Sequence, residues 1–214
     1  YYGDNNGTNG ANGANGNTNF SNLLLLKKRI EPFILRRTKE NVEKDLPPKI
    51  ETTINLEMAE EQQDVYDKVF KYYRQIIKNS LRSDALIKTQ FIVLQALTKL
   101  RLACLHPKLV KLAGVKTNSS IKLQALMLFI NQLVQEKHKM LVFSQFTSFL
   151  AILRNVLDKE KIKHCYLDGK TQQNERQGIV NKFNSSTDIY TFLLSLKAGG
   201  TGLNITSADY VIHV

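Results

Sequence analysis

The alternation of short apolar runs with amphipathic stretches is the feature that most restricts the fold. From Ser119 onward, almost wholly apolar runs lie at 140–143, 164–167, 189–194 and 210–214. Strands without a polar face are buried on both sides, as in a parallel sheet covered by helices on each face. With right-handed crossovers, this order predicts a doubly wound α/β lobe over residues 119–214. The lobe ends on a strand, so we expect it to be truncated.

Two helices are predicted upstream, within residues 58–118. Apolar residues recur at helical spacing from Val65 to Leu81 and from Ile87 to Leu105. Pro107 ends the second run. The pair predicts an antiparallel helical hairpin in front of the α/β lobe.

Residues 23–57 form a basic segment that Pro47 and Pro48 interrupt, which excludes a helix at that point. The alternation of apolar and polar residues from Ile50 to Leu56 predicts a short strand there.

The first 22 residues differ from the rest in composition, with five of the eleven glycines and eight asparagines. Such a segment buries too little apolar surface to offset its ordering entropy. It is predicted to be a disordered low-complexity linker, residues 1–22. Because it does not begin with methionine, we expect the chain to be cut from a longer protein.

The charge balance favours a polyanionic partner. The 214 residues hold 30 Lys and Arg against 19 Asp and Glu, a net charge of +11. A surplus of this size favours nucleic acid first and an anionic membrane second. No apolar run approaches the roughly 20 residues of a membrane-spanning helix. Two cysteines make no disulfide framework, which favours a reducing, intracellular location.

Ligands of open α/β sheets bind beyond the carboxyl ends of the strands. Three loops of this chain are predicted there, at 144–147, 168–171 and 195–204. The third holds three of the six glycines outside the head, together with Lys197. Glycine allows close backbone approach, so successive N–H groups and the lysine could bind a phosphate. A tight turn without a ligand is the alternative.

The other two loops carry weaker signals. Gly169-Lys170-Thr171 is not a Walker A motif, because position 164 holds histidine where glycine is required. Thr171 either caps a helix or marks a helix N-terminus offered to phosphate. Ser144 and Gln145 either contact a nucleic-acid backbone or cap the next helix. No metal site is predicted, since Cys104 and His106 lack a second ligand pair.

Several blocks in this order resemble the Swi/Snf-type DNA translocases of helicase superfamily two. IEPFILRRTKENVEKDLPPKIE resembles the segment that joins the two motor lobes, and LRLACLHP resembles the helix ending in Cys-x-His-Pro. SSIKLQALM resembles the start of the second RecA-like lobe, and MLVFSQFT is similar to motif IV. YLDGKTQQNER resembles the Leu-Asp-Gly-x-Thr…Arg block, and FLLSLKAGGTGLNITSADYVIHV is similar to motif V and its following strand. The resemblance covers residues 27–214.

The resemblance implies a role for each loop. It implies a DNA-backbone face made by eight residues: Ser144, Gln145, Lys170, Thr171, Lys197, Ala198, Gly199 and Gly200. The remaining implied roles are the interlobe nucleotide cleft for Gly202 and Asn204, support of the sheet edge for Arg176, and coupling of the lobes for Arg36, Arg37 and Lys39.

The resemblance also implies an ATP-dependent translocase of double-stranded DNA that remodels nucleosomes or other protein–DNA complexes. This chain would supply the second lobe, beside a first lobe in cis, with ATP and Mg²⁺ bound only by the full-length motor. Walker A and the Asp-Glu-x-His box are absent, so the 214 residues alone are predicted to be inactive. The expected location is the nucleus of a eukaryote, or the cytoplasm or nucleoid of a bacterium, with no membrane partner.

Two alternatives stay open on the residues. One is a nucleic-acid-binding lobe without catalysis. The other is an unrelated nucleotide-binding α/β protein.

Overall fold

A parallel sheet of four strands organises the second half of the chain. The computed structural model describes residues 15–35, 50–81, 86–111, 119–200 and 202–214. The strands in chain order are β1 Met140–Ser144, β2 His164–Leu167, β3 Thr191–Ser195 and β4 Tyr210–His213. Their order across the sheet is β2-β3-β1-β4, and every neighbouring pair is parallel.

Helices precede and connect these strands. Their bounds are α1 Asn15–Ile30, α2 Glu60–Leu81, α3 Leu86–Leu105, α4 Ile121–Gln135, α5 Thr147–Lys159, α6 Gln173–Ser185 and the single turn α7 Leu196–Gly199. Among the described helices, none combines the length and the apolar character that crossing a bilayer requires.

The strands are buried on both faces because their successive side chains enter two different cores. Met140 and Val142 of β1 pack with residues of α4 and α5, whereas Leu141 packs with α6. In β3, Leu193 enters the first core and Leu194 the second. The predicted doubly wound α/β fold is therefore confirmed.

Helices α2 and α3 form the predicted antiparallel hairpin. The hydroxyl groups of Ser80 and Thr89 lie 2.6 Å apart at the end where the two helices connect. At the other end, the start of α2 contacts the last residues of α3 through Gln62. The small core between the helices includes Val65 and Val69 of α2.

Gln62 also joins the hairpin to the α/β lobe. Its side chain is fully buried. Nε2 donates to the carbonyl oxygens of Ala103 (2.9 Å) and Cys104 (3.1 Å), and Oε1 accepts from the backbone N–H of Ile121 (3.1 Å). All three partners are main-chain groups, and two of them are carbonyls at the carboxyl end of α3 that lack helical partners.

Ser120 completes the same junction. Its hydroxyl donates to the carbonyl of Leu105 at 2.5 Å and accepts from the N–H of Leu123 at 3.2 Å, which makes Ser120 the cap of α4. The hairpin and the lobe belong to one unit, residues 54–214; residues 1–53 form the other.

The turns that lead into β1 and β2 share one geometry. Lys137 and Lys161 have φ angles of 61° and 57° at the ends of α4 and α5. In each turn the next residue donates back to the helix, His138 to Leu133 (2.8 Å) and Ile162 to Leu157 (2.9 Å). Glycine is the usual residue at this position, because a Cβ disfavours the left-handed conformation.

Two expectations need correction. Residues 15–22 of the asparagine-rich head are helical, as part of α1, so the expectation of disorder fails for them. The leucines that follow favour a helix, and the basic last turn Lys27–Arg29 complements the helix dipole. The rest of the head, residues 1–14, lies outside the described residues.

The predicted strand at 50–56 is also absent. This segment has no regular secondary structure, and the side chain of Ile50 is 90 % exposed. Alternating residues form a strand only where a neighbour supplies hydrogen bonds, and the described part of the chain places none beside it.

We expect Gln62→Leu to lower the free energy of unfolding by about 2–4 kcal/mol, because it leaves two buried carbonyls and one amide without partners. Urea denaturation followed by circular dichroism measures this loss. Gln63→Leu is the matched control. Gln63 is exposed, and its side chain donates to the Asp67 carboxylate one turn away, so the loss should stay within about 0.5 kcal/mol. Equal losses in the two variants would contradict the role given to Gln62.

Candidate nucleic-acid interface

The three loops predicted at the carboxyl edge of the sheet lie side by side. Ser144 at the end of β1 pairs in register with Ser195 at the end of β3, and Leu167 at the end of β2 pairs with Leu194. The loops therefore follow each other along the edge in the order β2, β3, β1.

The loop after β2 is closed by hydrogen bonds to Asp168. The carboxylate accepts from the Tyr166 hydroxyl and from the backbone N–H of Lys170, both at 2.8 Å. The N–H of Asp168 donates to the Thr171 hydroxyl at 3.2 Å. The turn is thus held in one shape, with the Lys170 side chain exposed to solvent.

Electrostatics agree with a charged Asp168. Burial raises the pKa of its carboxyl, but the hydrogen bonds from Tyr166 and from the N–H groups of Lys170 and Thr171 outweigh that effect and hold the pKa below its usual value. Burial and the Asp168 carboxylate together raise the pKa of Tyr166 to about 12. The phenol therefore stays protonated and remains a donor through the physiological range.

Two arginines support this turn. Nε of Arg176, from α6, donates to the carbonyl oxygen of Thr171 at 3.1 Å. The guanidinium of Arg154, from α5, lies 5.3 Å from the centre of the Tyr166 ring. Thr171 does not cap α6 as one interpretation expects, since its hydroxyl is used by Asp168 and Gln172 occupies the cap position.

The loop after β3 begins as a helical turn. The Ser195 hydroxyl accepts from the N–H of Ala198 at 3.3 Å, and the N–H of Gly200 donates to Leu196 at 3.3 Å. Ala198 is buried. Its N–H is therefore already bonded and cannot serve in the expected row of exposed amides. Lys197 is exposed and carries its charge into solvent from this turn.

The structural requirement for glycine differs among the three glycines of this loop. A Cβ at Gly199 would lie 2.5 Å from the ring of Phe143, so the backbone packs directly on that side chain. Gly202 has a φ of +70°, where L-residues are strained. Gly200 has a φ of −72°, and a Cβ at this position would come no closer than 3.8 Å to a neighbouring atom, so neither reason applies to it.

Ser144 and Gln145 differ in exposure. Ser144 is fully buried, and its hydroxyl accepts from the N–H of Phe146 at 3.3 Å, so it closes the turn in front of α5; the cap position itself is held by Phe146, without a side-chain cap bond, so Ser144 is not the helix cap. Gln145 is exposed beside it. Among the predicted contact residues of these loops, the groups exposed to a ligand are the side chains of Gln145, Lys170 and Lys197 and the backbone of Gly200.

Of the remaining predicted residues, two lie later in the loop after β3 and three lie outside the described residues. Gly202 and Asn204 are exposed, and the Asn204 carbonyl accepts from Asn184 at 3.3 Å. Arg36, Arg37 and Lys39 fall outside the described residues. The described residues hold no group of three or more His, Cys, Asp or Glu placed for a metal ion.

Three contributors to this edge are missed by the sequence patterns. Tyr166 resembles any other strand residue, although its place two residues before Asp168 puts both on one side of the strand. Phe143 also looks only like a strand residue, and Ser195 looks only like the first residue of a loop. Their roles depend on the chain folding back over the sheet edge.

Comparison with known families gives two matches that together cover most of the chain. Residues 11–109 match the SNF2-related domain, and residues 121–214 match the helicase conserved C-terminal domain. The boundary between them lies where Gln62 and Ser120 join the hairpin to the lobe.

Relatives with similar sequences belong to the same group of proteins as these two family matches. The chain is 38 % identical over 188 residues to an uncharacterized ATP-dependent helicase of Mycoplasma genitalium, covering 88 % of this chain and 18 % of the relative. It is 34 % identical over 194 residues to a human SWI/SNF-related matrix-associated actin-dependent regulator of chromatin, subfamily A member 1, covering 86 % of this chain and 18 % of the relative. The chain thus spans about one fifth of the length of these relatives.

Solved structures share the fold as well as the sequence. The C-terminal domain of the Sulfolobus solfataricus SWI2/SNF2 ATPase is 32 % identical, with a TM-score of 0.61 over 73 % of this chain and 67 % of that chain. The core of the same ATPase in complex with double-stranded DNA is 34 % identical, with a TM-score of 0.66 over 89 % of this chain and 40 % of that chain. These matches exclude the alternative of an unrelated nucleotide-binding protein, and the chain belongs to the SNF2 family of helicase-related ATPases.

Proposed function

We propose that this chain is the second-lobe portion of an ATP-dependent translocase of double-stranded DNA. It grips the phosphate backbone at the carboxyl edge of its sheet and completes an ATP cleft with a first lobe in cis. The observation that carries the proposal is the pair of preformed turns at this edge, each exposing a cation. Lys170 and Lys197 lie on neighbouring loops, after β2 and β3. The solved complex of a family member with double-stranded DNA supports the choice of ligand.

Such a surface suits a protein that moves along any sequence. Lysines and backbone amides contact phosphates, which are the same at every base pair, so binding carries no sequence information. Because the Asp168 turn and the α7 turn are closed by their own hydrogen bonds, they need little ordering when a strand binds.

The nucleotide site requires residues beyond this chain. Phosphoryl transfer needs groups that hold Mg²⁺ and neutralise charge on the transferred phosphate. The 214 residues contain neither a Walker A motif nor an Asp-Glu-x-His box. We assign to Gly202 and Asn204 the side of the cleft that this lobe supplies, to Arg36, Arg37 and Lys39 the coupling of the lobes, and to the whole motor the remodelling of DNA-bound proteins such as nucleosomes.

We expect the 214-residue chain to show no ATP turnover, with or without duplex DNA, because the groups that hold the metal are missing. A phosphate-release assay measures this. Adding the first lobe and the remainder of the second lobe, which includes the family's arginine-finger motif, should bring DNA-stimulated turnover. If the longer protein binds DNA but stays inactive, the alternative of a nucleic-acid-binding lobe without catalysis replaces the proposal.

Lys197→Ala should weaken binding to all duplex sequences alike and lower the salt dependence of log K by about one unit, since one phosphate contact is lost. Fluorescence anisotropy at several salt concentrations measures both quantities. Lys159→Ala is the matched control, because that exposed lysine lies at the opposite end of α5 from this edge. An unchanged salt slope in Lys197→Ala would contradict the contact.

Gly200→Ala separates a phosphate contact from a simple turn. The backbone at Gly200 accepts a methyl group, so the melting temperature should stay unchanged. If a DNA strand passes close to this backbone, the methyl group should nevertheless weaken binding. Unaltered binding would show that the strand does not approach Gly200.

Tyr166→Phe should cost about 1 kcal/mol of stability at neutral pH, because the Asp168 carboxylate loses a hydrogen bond. That bond depresses the pKa of Asp168, so its stabilisation exists above the pKa of an unfolded carboxyl and disappears as the pH falls through the folded value. The difference from the parent should therefore shrink in acid.

Urea denaturation at a series of pH values between neutral and acidic gives this profile. Tyr190→Phe is the control, because the Tyr190 hydroxyl donates to the neutral carbonyl of Thr187. Its cost should not change over the acid range. A flat profile for Tyr166→Phe would contradict the coupling to Asp168.

A further inference from the structure

The positive charge of the chain is concentrated in one region. Residues 68–135 contain 12 of the 30 basic residues and only one of the 19 acidic residues, Asp84. The other 146 residues therefore hold 18 of each sign. The net charge of +11 therefore arises between residues 68 and 135, and not in the edge loops that the proposed function uses.

Within this region, four cations form a stripe on α2. Lys68, Lys71, Arg74 and Lys78 are all exposed and recur every three or four residues. At 1.5 Å per residue, the stripe extends about 15 Å along the helix. Helical spacing places Lys71, Arg74 and Lys78 opposite the buried face that carries Val65 and Val69, with Lys68 at the side of that face, so these three cations face away from α3.

These cations have no anionic partner within ion-pair distance among the described residues. The acidic residues of α2 end at Asp67, one turn before Lys71, and α3 contains none. Unpaired like charges a turn apart repel each other and destabilise an isolated helix slightly. A polyanion that lies along the stripe removes this cost.

We propose that the stripe Lys68–Lys78 on α2 is a second contact surface for the phosphate backbone of duplex DNA, separate from the loops at the sheet edge. The inference takes from the proposed function only that the ligand is duplex DNA. Four cations that recur along one helix match the regularly spaced charges of a phosphate backbone.

A membrane surface fits this stripe less well. Helices that lie on a membrane combine basic residues with a large apolar face on the same helix. Here the most exposed apolar side chains of the hairpin, Ile87, Phe91 and Leu94, lie on α3. Those of α2, which are Phe70, Tyr72 and Leu81, are less exposed.

The test compares two triple variants of the full chain that each remove three positive charges. Lys71→Gln, Arg74→Gln and Lys78→Gln together neutralise the stripe. The matched control combines Lys137→Gln, Lys159→Gln and Lys161→Gln, which are exposed near the acidic residues Glu136, Asp158 and Glu160. Binding to a duplex about three helical turns long is measured by fluorescence anisotropy at several salt concentrations, and folding by circular dichroism.

We expect the stripe variant to bind at least about tenfold more weakly and to lower the salt slope by two to three units, roughly 0.9 for each lost phosphate contact. The control variant should keep the parent slope. An unchanged slope in the stripe variant overturns the proposal, and an equal decrease in both variants overturns it in favour of net charge alone. Weaker binding to vesicles of anionic phospholipid, with the DNA slope kept, overturns it in favour of a membrane.

The outcome is independent of the edge loops. Lys197→Ala reports on those loops and the stripe variant on α2. If the salt slope of the stripe variant equals that of the parent while the slope of Lys197→Ala is reduced, the second surface is refuted and the proposed function stands. If instead the slope is reduced in the stripe variant and unchanged in Lys197→Ala, the contact at the loop is refuted and the stripe is retained.

Discussion

The buried amide of Gln62 holds together the two parts of the 54–214 unit. It satisfies two carbonyls at the end of α3 and one amide at the start of α4, within 3.1 Å in each case. In a parallel α/β lobe, the start of α4 lies toward the same end of the sheet as the carboxyl end of β1. The end of the hairpin that carries Gln62 is therefore fixed toward the edge that carries the candidate interface.

The α/β lobe was predictable because its signals are local and agree with one another. Apolar strands buried on both faces and a proline after α3 predict elements that the structure shows, with strand bounds that differ by at most two residues. The failures lie where local pattern and context disagree. Residues 50–56 alternate like a strand but have no neighbouring strand among the described residues, and residues 15–22 have a loop-like composition but continue into the leucines of α1.

The candidate site was predictable in position but not in detail. Topology places the three loops at one edge, so Lys170 and Lys197 follow from the sequence alone. The exposure of each group cannot be predicted from the sequence, because it depends on the hydrogen bonds that close each turn. Ser144 and Ala198 are buried as parts of those turns, and Tyr166 becomes important only through its contact with Asp168. Gln62, 59 residues from its partner Ile121, leaves no local signal.

The contact between Gly199 and Phe143 has a mechanical consequence. The Phe143 ring lies under the backbone of Gly199 and also stacks on the imidazole of His213 in β4, with ring centres 5.4 Å apart. The ring thus joins the loop after β3 to the edge strand of the sheet through van der Waals contact on both of its sides. Van der Waals contacts are individually weak and do not depend on a bond angle, whereas hydrogen bonds weaken steeply once bent. A small shift of this loop would therefore reach β4 as a gradual displacement and not as a broken bond.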